Sequence, residues 1–344
     1  ASDLHRISLF FKQQYQGPQT YGRADMFNWK TLGNYIQPGF INIIKDNETI
    51  AATTSMVPKK LLLNSRFILS GEIGDTYVDQ IYRKEGLFPV LGNATRKEAI
   101  KENIQFIYGL PNHLALPGWL KRNSFLLMDS LNVRSMVFPL SAKPKFQRLI
   151  GWVLAEVLDL IYRIFACLII FSKKIHFKAN QGYLIEPINY IPKDWDLFWS
   201  CASKYYDFIF DRSSKSIQWR YLENPEKYSF FTIRYQNELV GYFITSKTIT
   251  RNGLDLTIVD FLFIKSHERA LNLCLESVFN DCFQTSVRAI NVWCEKTSPY
   301  YSIFKKWGLR DQGKVPVIFY CESVSDQIEN IKNPHFSIGD SDNA

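Results

Sequence analysis

The chain has 344 residues, of which 46% are hydrophobic and 22% charged, and its formal net charge is +8. This composition excludes an intrinsically disordered chain and predicts a folded, soluble protein that is long enough for two domains. The positive charge favours a polyanionic partner, namely a nucleotide cofactor, a nucleic acid or an acidic membrane surface.

An internal repeat organises the chain. The sequence FNWK at 27–30 aligns with IQWR at 217–220, and residues 41–52 align with 231–242 without a gap. In each copy an Asn-Glu pair separates two alternating apolar runs, which is typical of a hairpin tip. One α/β unit therefore occurs twice.

The repeat predicts the domain organisation. We expect an N-terminal domain at 1–140, a linker at 141–179, a C-terminal domain at 180–322 and a polar, frayed tail at 323–344. In the first domain the alternating patterns predict a helix over 86–103 and strands at 41–53, 66–79, 104–109 and 125–138. In the second domain the predicted strands are 229–236, 239–248, 254–264, 288–294 and 315–321. The helices predicted there cover 192–206, 267–283 and 298–307.

A basic turn at 74–88 (GDTYVDQIYRKEGLF) joins a predicted strand to a predicted helix. The first N–H groups of a helix lack internal partners and suit a phosphate. Arg83 and Lys84 add positive charge, and Gly86 lets a ligand approach the backbone closely. The turn indicates a phosphate site, and an ordinary exposed strand-to-helix turn is the alternative.

The linker contains an apolar stretch, Leu149–Phe171, in which only Glu156, Asp159 and Arg163 are charged. Basic residues flank it on both sides. The stretch could span a bilayer by length, but charges at its centre oppose this. The pattern favours a helix buried between domains, or between the subunits of a homodimer. A helix lying in the plane of a membrane surface is the second alternative, and a membrane-spanning helix is the third.

The six cysteines begin at Cys167, near the middle of the chain, and no two are spaced Cys-x-x-Cys. With no recognisable secretory signal, we expect reduced thiols in a cytoplasmic protein, with membrane association through the linker left open. Neither a disulfide framework nor a metal site is expected.

The basic turn resembles the V-x-P-x-x-R-x-x-G-x-G/A motif of the GNAT superfamily of acyl-coenzyme A-dependent N-acyltransferases. Val78, Arg83 and Gly86 match the motif, whereas Gln80 and Phe88 depart from it. The resemblance implies two tandem GNAT-like domains, each a mixed, mostly antiparallel sheet flanked by helices, with acetyl-CoA or another short acyl-CoA as co-substrate. The coenzyme-binding residues that it implies are Tyr77, Val78, Arg83, Lys84, Glu85, Gly86, Leu87, Phe88 and Asn112.

Three residues are candidates for catalysis. Asp75 would orient the amine or take its proton through water, or would be a strand carboxylate paired with an arginine. Tyr108, or alternatively water, would donate a proton to the leaving thiolate, since Trp119 stands near the place of the family's helix tyrosine and cannot donate one. His113, beside the strand end YGLPN, would act as a base or would be polar surface.

The turn of the second copy, IKSHERA at 264–270, contains no glycine. The resemblance therefore implies one acyl-CoA site, in the first copy, and acceptor binding by the second. Arginines suit a pyrophosphate and flat rings suit a nucleobase. The acceptor-binding candidates are Arg23, Trp29, Arg212, Trp219, Arg220 and Tyr221. The alternative is that both tryptophans pack the first helix of each domain onto its sheet.

A narrower resemblance is to bacterial tandem-GNAT proteins that acylate nucleotide-linked amino sugars for surface polysaccharides. It is carried by GDTYVDQIYRKEGLF, YGLPN and RSSKSIQWRYLENP. It implies direct attack of the amine of an amino-deoxy sugar, such as a dTDP-amino-dideoxyhexose, on the thioester, with no nucleic acid partner. The alternatives are a tandem-GNAT aminoacyl transferase of cell-wall synthesis, which would use charged transfer RNA, and a non-catalytic membrane-surface scaffold.

Overall fold

The computed structural model describes residues 2–14, 23–143, 147, 151–176, 182–250, 252–322 and 325–341. Within these residues two mixed sheets of seven strands each are flanked by helices. The predicted α/β class with two sheet-and-helix units is confirmed.

The first sheet has the spatial order β1-β2-β3-β4-β14-β5, with β8 also paired to β2. Its strands are β1 Phe40–Asp46, β2 Thr49–Leu63, β3 Arg66–Val78, β4 Phe106–Gly109, β5 Leu126–Leu127, β8 Phe208–Phe210 and β14 Ile318–Cys321. The pairing of β3 with β4 is parallel, and the other pairings are antiparallel.

The second sheet has the order β13-β6-β12-β11-β10-β9-β7. Its strands are β6 Val133–Pro139, β7 Tyr183–Ile188, β9 Ser229–Tyr235, β10 Glu238–Thr250, β11 Gly253–Phe263, β12 Ala289–Glu295 and β13 Arg310–Lys314. Here β11 and β12 form the parallel pair, so each sheet places one parallel pair among antiparallel neighbours.

The two sheets exchange strands. Strand β6 lies in the first half of the chain but pairs with β12 and β13, and β14 lies at the end of the second half but pairs with β4 and β5. The expectation that segments 125–138 and 315–321 complete the sheets of their own halves is wrong, because alternation along a strand does not specify its partner. The domain boundaries at 140 and 180 stay a prediction, and strand pairing crosses them.

Helices flank both sheets. They are α1 Ser2–Gln14, α2 Ala24–Lys30, α3 Leu87–Lys101, α4 Leu116–Arg122, α5 Trp152–His176, α6 Trp195–Ala202, α7 Ser214–Ile217, α8 Leu271–Gln284, α9 Pro299–Trp307 and α10 Ser325–Glu329. On the second sheet, Phe279 of α8 stacks on Trp307 of α9 with ring centroids 5.4 Å apart. Among the described helices, none combines the length and the apolarity that crossing a bilayer requires.

Both predicted hairpin tips are confirmed. Asn47 joins β1 to β2 with φ of 52°, and Asn237 joins β9 to β10 with φ of 68°. Asparagine tolerates this left-handed conformation better than most residues, so both tips suit their sequence.

The predicted frayed tail is wrong for the C-terminal segment, by which we mean residues 331–341. Phe336, Ser337 and Asp340 are buried. Lys59 of β2 donates to the Asp340 carbonyl at 2.9 Å, and Ser337 donates to Asp260 of β11 at 2.9 Å. The segment is polar because its side chains pair with buried groups of both sheets, a pattern that composition cannot distinguish from a solvated tail.

Candidate functional site

Strands β3 and β4 separate at one end of the first sheet. Their pairing covers Ser70 with Phe106, Gly71 with Ile107 and Glu72 with Tyr108, and β3 then continues to Val78 without β4 beside it. We call the space between residues 73–78 and 109–112 the β3–β4 cleft. Along it, residues 73–78 of β3 have no strand partner on the β4 side among the described residues.

A β-bulge bends β3 beside this cleft. Between the pairs Thr53–Tyr77 and Ser55–Gly74, β3 carries one residue more than β2. Asp75 lies in the bulge with φ of 46°, and its carbonyl accepts from Thr53 Oγ1 at 2.8 Å. The bulge interrupts the two-residue alternation of the strand.

The Asp75 carboxylate is engaged. It accepts a hydrogen bond from Ser55 Oγ at 2.6 Å and forms an ion pair with Lys30, which is buried. The arrangement corresponds to the alternative of a paired strand carboxylate, with lysine in place of arginine. A catalytic role for Asp75 stays a prediction.

The basic turn follows directly from β3. The Asp79 carboxylate accepts from Ile81 N at 3.0 Å, and Gly86, with φ of 79°, precedes the first residue of α3. No described side chain caps this helix, so its first N–H groups remain available to an anion. Arg83 is exposed and folds back over the end of β3, 3.4 Å from the Val78 carbonyl and 3.3 Å from the Tyr77 hydroxyl.

Phe88 has a packing role that explains its departure from the motif. Its ring lies 5.0 Å from that of Trp119, and a Cβ on Gly118 would come within 2.8 Å of it. The missing side chain at 118 in α4 thus accommodates the large residue at 88 in α3. Trp119 itself is buried and packs edge-on against Phe125 at 4.9 Å.

The remaining residues predicted around β4 lie in three environments. Tyr108 is buried, and its hydroxyl donates to the Asp340 carbonyl and lies 3.3 Å from the Glu72 carboxylate. The Asn112 side chain accepts from two backbone N–H groups ahead of α4, at 2.9 and 3.0 Å. His113 is exposed. The structure therefore does not bring Tyr108 and His113 together.

A buried ionic network lies where the two sheets meet. Arg212 is 2% exposed and donates to Asp340 at 2.8 Å, to Asp260 at 3.2 Å and to the Tyr242 hydroxyl at 3.1 Å. Tyr221 also donates to Asp260, at 2.9 Å. Arg212 and Tyr221, two predicted acceptor-binding residues, are thus engaged with the protein itself.

Burial and charge oppose each other in this network. Burial disfavours ionisation of Asp260, but the Arg212 guanidinium and the hydrogen bonds to the carboxylate hold its pKa well below the usual value. Burial likewise disfavours the charged form of Arg212, but the negative charges of Asp260 and Asp340 outweigh this and hold the pKa of Arg212 well above its usual value. Burial raises the pKa of Tyr221, which keeps its hydroxyl a donor. The network is held by fixed charges.

The two repeat tryptophans pack against each other rather than onto separate sheets. Trp29 and Trp219 stack with ring centroids 4.7 Å apart, and Trp29 Nε1 donates to the Trp219 carbonyl at 3.0 Å. Arg220 lies over the Trp29 ring and donates to the Ser341 carbonyl. Equivalent positions of the repeat thus form part of the contact between the halves. Arg23 links them at the surface through an ion pair with Glu226 at 2.9 Å.

Sequence reasoning missed Lys59, Glu72 and Asp260. Lys59 donates to Glu72 at 2.6 Å, at the point where β3 and β4 separate. Their strands carry other charged residues as well, such as Lys60, Asp75 and Asp255, so no local pattern marks these three as buried and paired.

No family model matches the sequence, and no curated protein matches it. Several solved structures are similar in fold. A GCN5-related N-acetyltransferase from Anabaena variabilis has 12% identity and a TM-score of 0.58, over 93% of this chain and 70% of that one. N-myristoyltransferase from Saccharomyces cerevisiae with bound myristoyl-CoA has 14% identity and a TM-score of 0.60, over 93% and 76%. A tandem GNAT protein from the clavulanic acid biosynthesis pathway has 12% identity and a TM-score of 0.56, over 93% of both chains. The predicted tandem-GNAT fold is confirmed, and at these identities the likeness extends to the fold alone.

Proposed function

We propose that the protein transfers an acyl group from an acyl-coenzyme A to an amine, with the coenzyme in the β3–β4 cleft. The observation that carries the proposal is the position of the basic turn at the end of the same strand that borders the cleft. The fold of the neighbours supports it, since one of them, the yeast N-myristoyltransferase, contains bound myristoyl-CoA.

In this proposal the diphosphate of the coenzyme binds the N–H groups of residues 83–88, and Arg83 and Lys84 add charge. The pantetheine arm follows the cleft side of β3 at Tyr77 and Val78. The thioester carbonyl then lies near the bulge, where backbone N–H groups stabilise the oxyanion.

The reaction needs no covalent enzyme intermediate. The amine nitrogen attacks the thioester carbon, a C–N bond forms and the C–S bond breaks, and the amine loses its proton to solvent or to the departing thiolate. A thiol has a pKa of about 8.5, so the thiolate leaves without strong acid assistance.

We further propose a nucleotide-linked amino-deoxy sugar as the acceptor. This rests on the basic-aromatic group Arg212, Trp219, Arg220 and Tyr221. The Asp340 carboxylate and the Ser341 carbonyl now engage its two arginines. The acceptor's pyrophosphate would therefore replace the end of the C-terminal segment, which must move to admit it.

The coenzyme proposal is tested by thermal shift with acetyl-CoA. A ligand at 100 times its Kd stabilises the folded protein by about 2.7 kcal/mol, and Gly86→Glu should abolish the shift by placing a carboxylate at the diphosphate site. Gly151→Glu is the matched control, because Gly151 has φ of 82° and, like Gly86, no described atom within 4 Å of the added Cβ. No shift in the wild type, or equal shifts in both variants, would exclude this site.

The acceptor proposal has a separate readout. Free thiol released from acetyl-CoA is measured with a panel of nucleotide-linked amino sugars and with the same sugars lacking the nucleotide. We expect release to depend on the nucleotide. Equal rates with the free sugars would refute the nucleotide-binding role while leaving coenzyme binding intact.

A further inference from the structure

Helix α5, Trp152–His176, has an unusual distribution of apolar residues. Its protein-facing side carries Ala155, Asp159, Ala166 and Ile170, all buried. Ala166 and Ile170 join the core of the second sheet. The helix is therefore docked on the protein along one narrow stripe.

The opposite side of α5 is apolar and exposed. Ten large hydrophobic residues there are between 39% and 69% exposed. They are Val153, Leu154, Val157, Leu158, Leu160, Ile161, Ile164, Phe165, Leu168 and Phe171. At 100° per residue they occupy an arc of about 160°, and we call them the apolar face of α5. A contiguous exposed apolar face of ten large side chains is typical of an interaction surface.

The charged residues of α5 avoid this face. Asp159 accepts from Ser141 Oγ at 2.8 Å and from Ala142 N at 2.7 Å, and it pairs with Arg163 at 2.9 Å. These contacts fix the rotation of the helix, because turning the apolar face inward would break them. The exposure is thus built into the way that the helix docks.

Basic residues flank α5 in the sequence on both sides. The sequence places Lys143, Lys145 and Arg148 before the helix, and Lys173, Lys174 and Lys178 at or beyond its end. Beside α5 a cavity of about 280 Å³ is lined by Lys143, Arg163 and Arg288. These three cations pair with Glu156, Asp159 and Asp255, so the net positive charge near the helix comes from its flanking residues in the sequence.

From this combination we propose that α5 docks the protein on an anionic lipid bilayer, lying in the interface plane with its apolar face among the acyl chains. Basic flanks and an apolar face are the two attractions that hold amphipathic helices at such a surface. A second copy of the chain fits less well, since pairing two α5 helices would bring basic flanks together. The proposal is independent of the coenzyme site.

Vesicle flotation with the full chain tests the proposal. We expect at least about tenfold stronger partitioning onto vesicles of phosphatidylcholine with phosphatidylglycerol than onto phosphatidylcholine alone, because each basic residue near an anionic surface adds attraction. Raising the salt concentration should reduce this difference.

Two pairs of substitutions locate the surface. The α5 pair, Leu160→Glu with Leu168→Glu, places two charges on the apolar face. The control pair, Leu197→Glu with Leu126→Glu, places the same charges outside α5, at side chains that are 70% and 61% exposed. The α5 pair should weaken partitioning by more than about tenfold, and the control pair should not. All four sites are exposed, so circular dichroism and thermal midpoints should match the wild type.

The opposing outcomes are distinct. No partitioning of the wild type onto anionic vesicles would overturn the proposal. Equal partitioning of the α5 pair and the control pair would assign lipid binding to another surface and also overturn it. The remaining outcome is that the wild type does not bind vesicles but sediments as a dimer, and that the Leu160→Glu, Leu168→Glu variant sediments as a monomer. That outcome would show that a second copy of the chain covers the apolar face of α5.

Discussion

The buried C-terminal segment makes a quantitative prediction at Asp340. This residue is 4% exposed, and its carboxylate accepts from Arg212 at 2.8 Å and from Ser337 N at 2.8 Å. A hydrogen bond to a charged group contributes about 1.5–3 kcal/mol, and a capping bond about 1 kcal/mol. Asp340→Ala should therefore lower the free energy of unfolding by about 3 kcal/mol. The loss of stability stays moderate because Arg212 keeps its second ion-pair partner, Asp260, in this variant.

Asp129→Ala is the matched control. Asp129 also pairs with a cation, Lys314 at 3.1 Å, but its side chain is 87% exposed. Such a surface pair contributes less than about 1 kcal/mol. Asp340→Asn, which keeps a capping oxygen but loses the charge, should fall between Asp340→Ala and the wild type.

Urea unfolding followed by tryptophan fluorescence measures these differences, and hydrogen exchange reports on residues 331–341 directly. We expect slow exchange in the segment of the wild type and faster exchange in Asp340→Ala. Equal unfolding free energies for Asp340→Ala and Asp129→Ala, or an already exchanging segment in the wild type, would refute the reasoning.

Three further predictions concern the contact between the halves. In a double-mutant cycle of Trp29→Ala and Trp219→Ala, the stacked rings should show a coupling of about 1 kcal/mol, and additive losses would contradict the stack. Burial lowers the pKa of His335 in the folded protein. Below about pH 6.5 the unfolded state therefore binds more protons than the folded state, and the unfolding free energy should decrease as the pH is lowered. His335→Gln should flatten that slope, and an unchanged slope would assign it to other groups. Gly339→Ala would drive a Cβ into the Tyr221 hydroxyl and should cost about 1–3 kcal/mol in urea unfolding, and an unchanged unfolding free energy would contradict the clash.

Local patterns in the sequence predicted the fold's units well. The Asn-Glu hairpin tips, β3 and α3 lie within one or two residues of their expected positions, because alternation and turn residues are local signals. The segment expected at 41–53 is wrong at its end, since β2 continues to Leu63. The predicted strand 125–138 is instead two strands, β5 and β6, which lie in different sheets. That split depends on long-range pairing, which a local pattern does not encode.

The candidate site was predictable to a similar extent. The turn from β3 to α3 was located from Val78, Arg83 and Gly86, because a glycine turn and basic residues are visible in sequence. The burial of Arg212 was not predictable in the same way, since its partners Asp260 and Asp340 lie far away in the chain. The sequence thus indicated a cationic group but not that the protein itself neutralises it.

A crystal structure with a non-hydrolysable acyl-coenzyme A analogue tests the central claim most directly. We predict density for the diphosphate against the N–H groups of residues 83–88 and for the acyl arm along residues 74–78 of β3. An empty β3–β4 cleft at saturating analogue, or an analogue bound only at the turn 264–270 of the second repeat, would contradict the account.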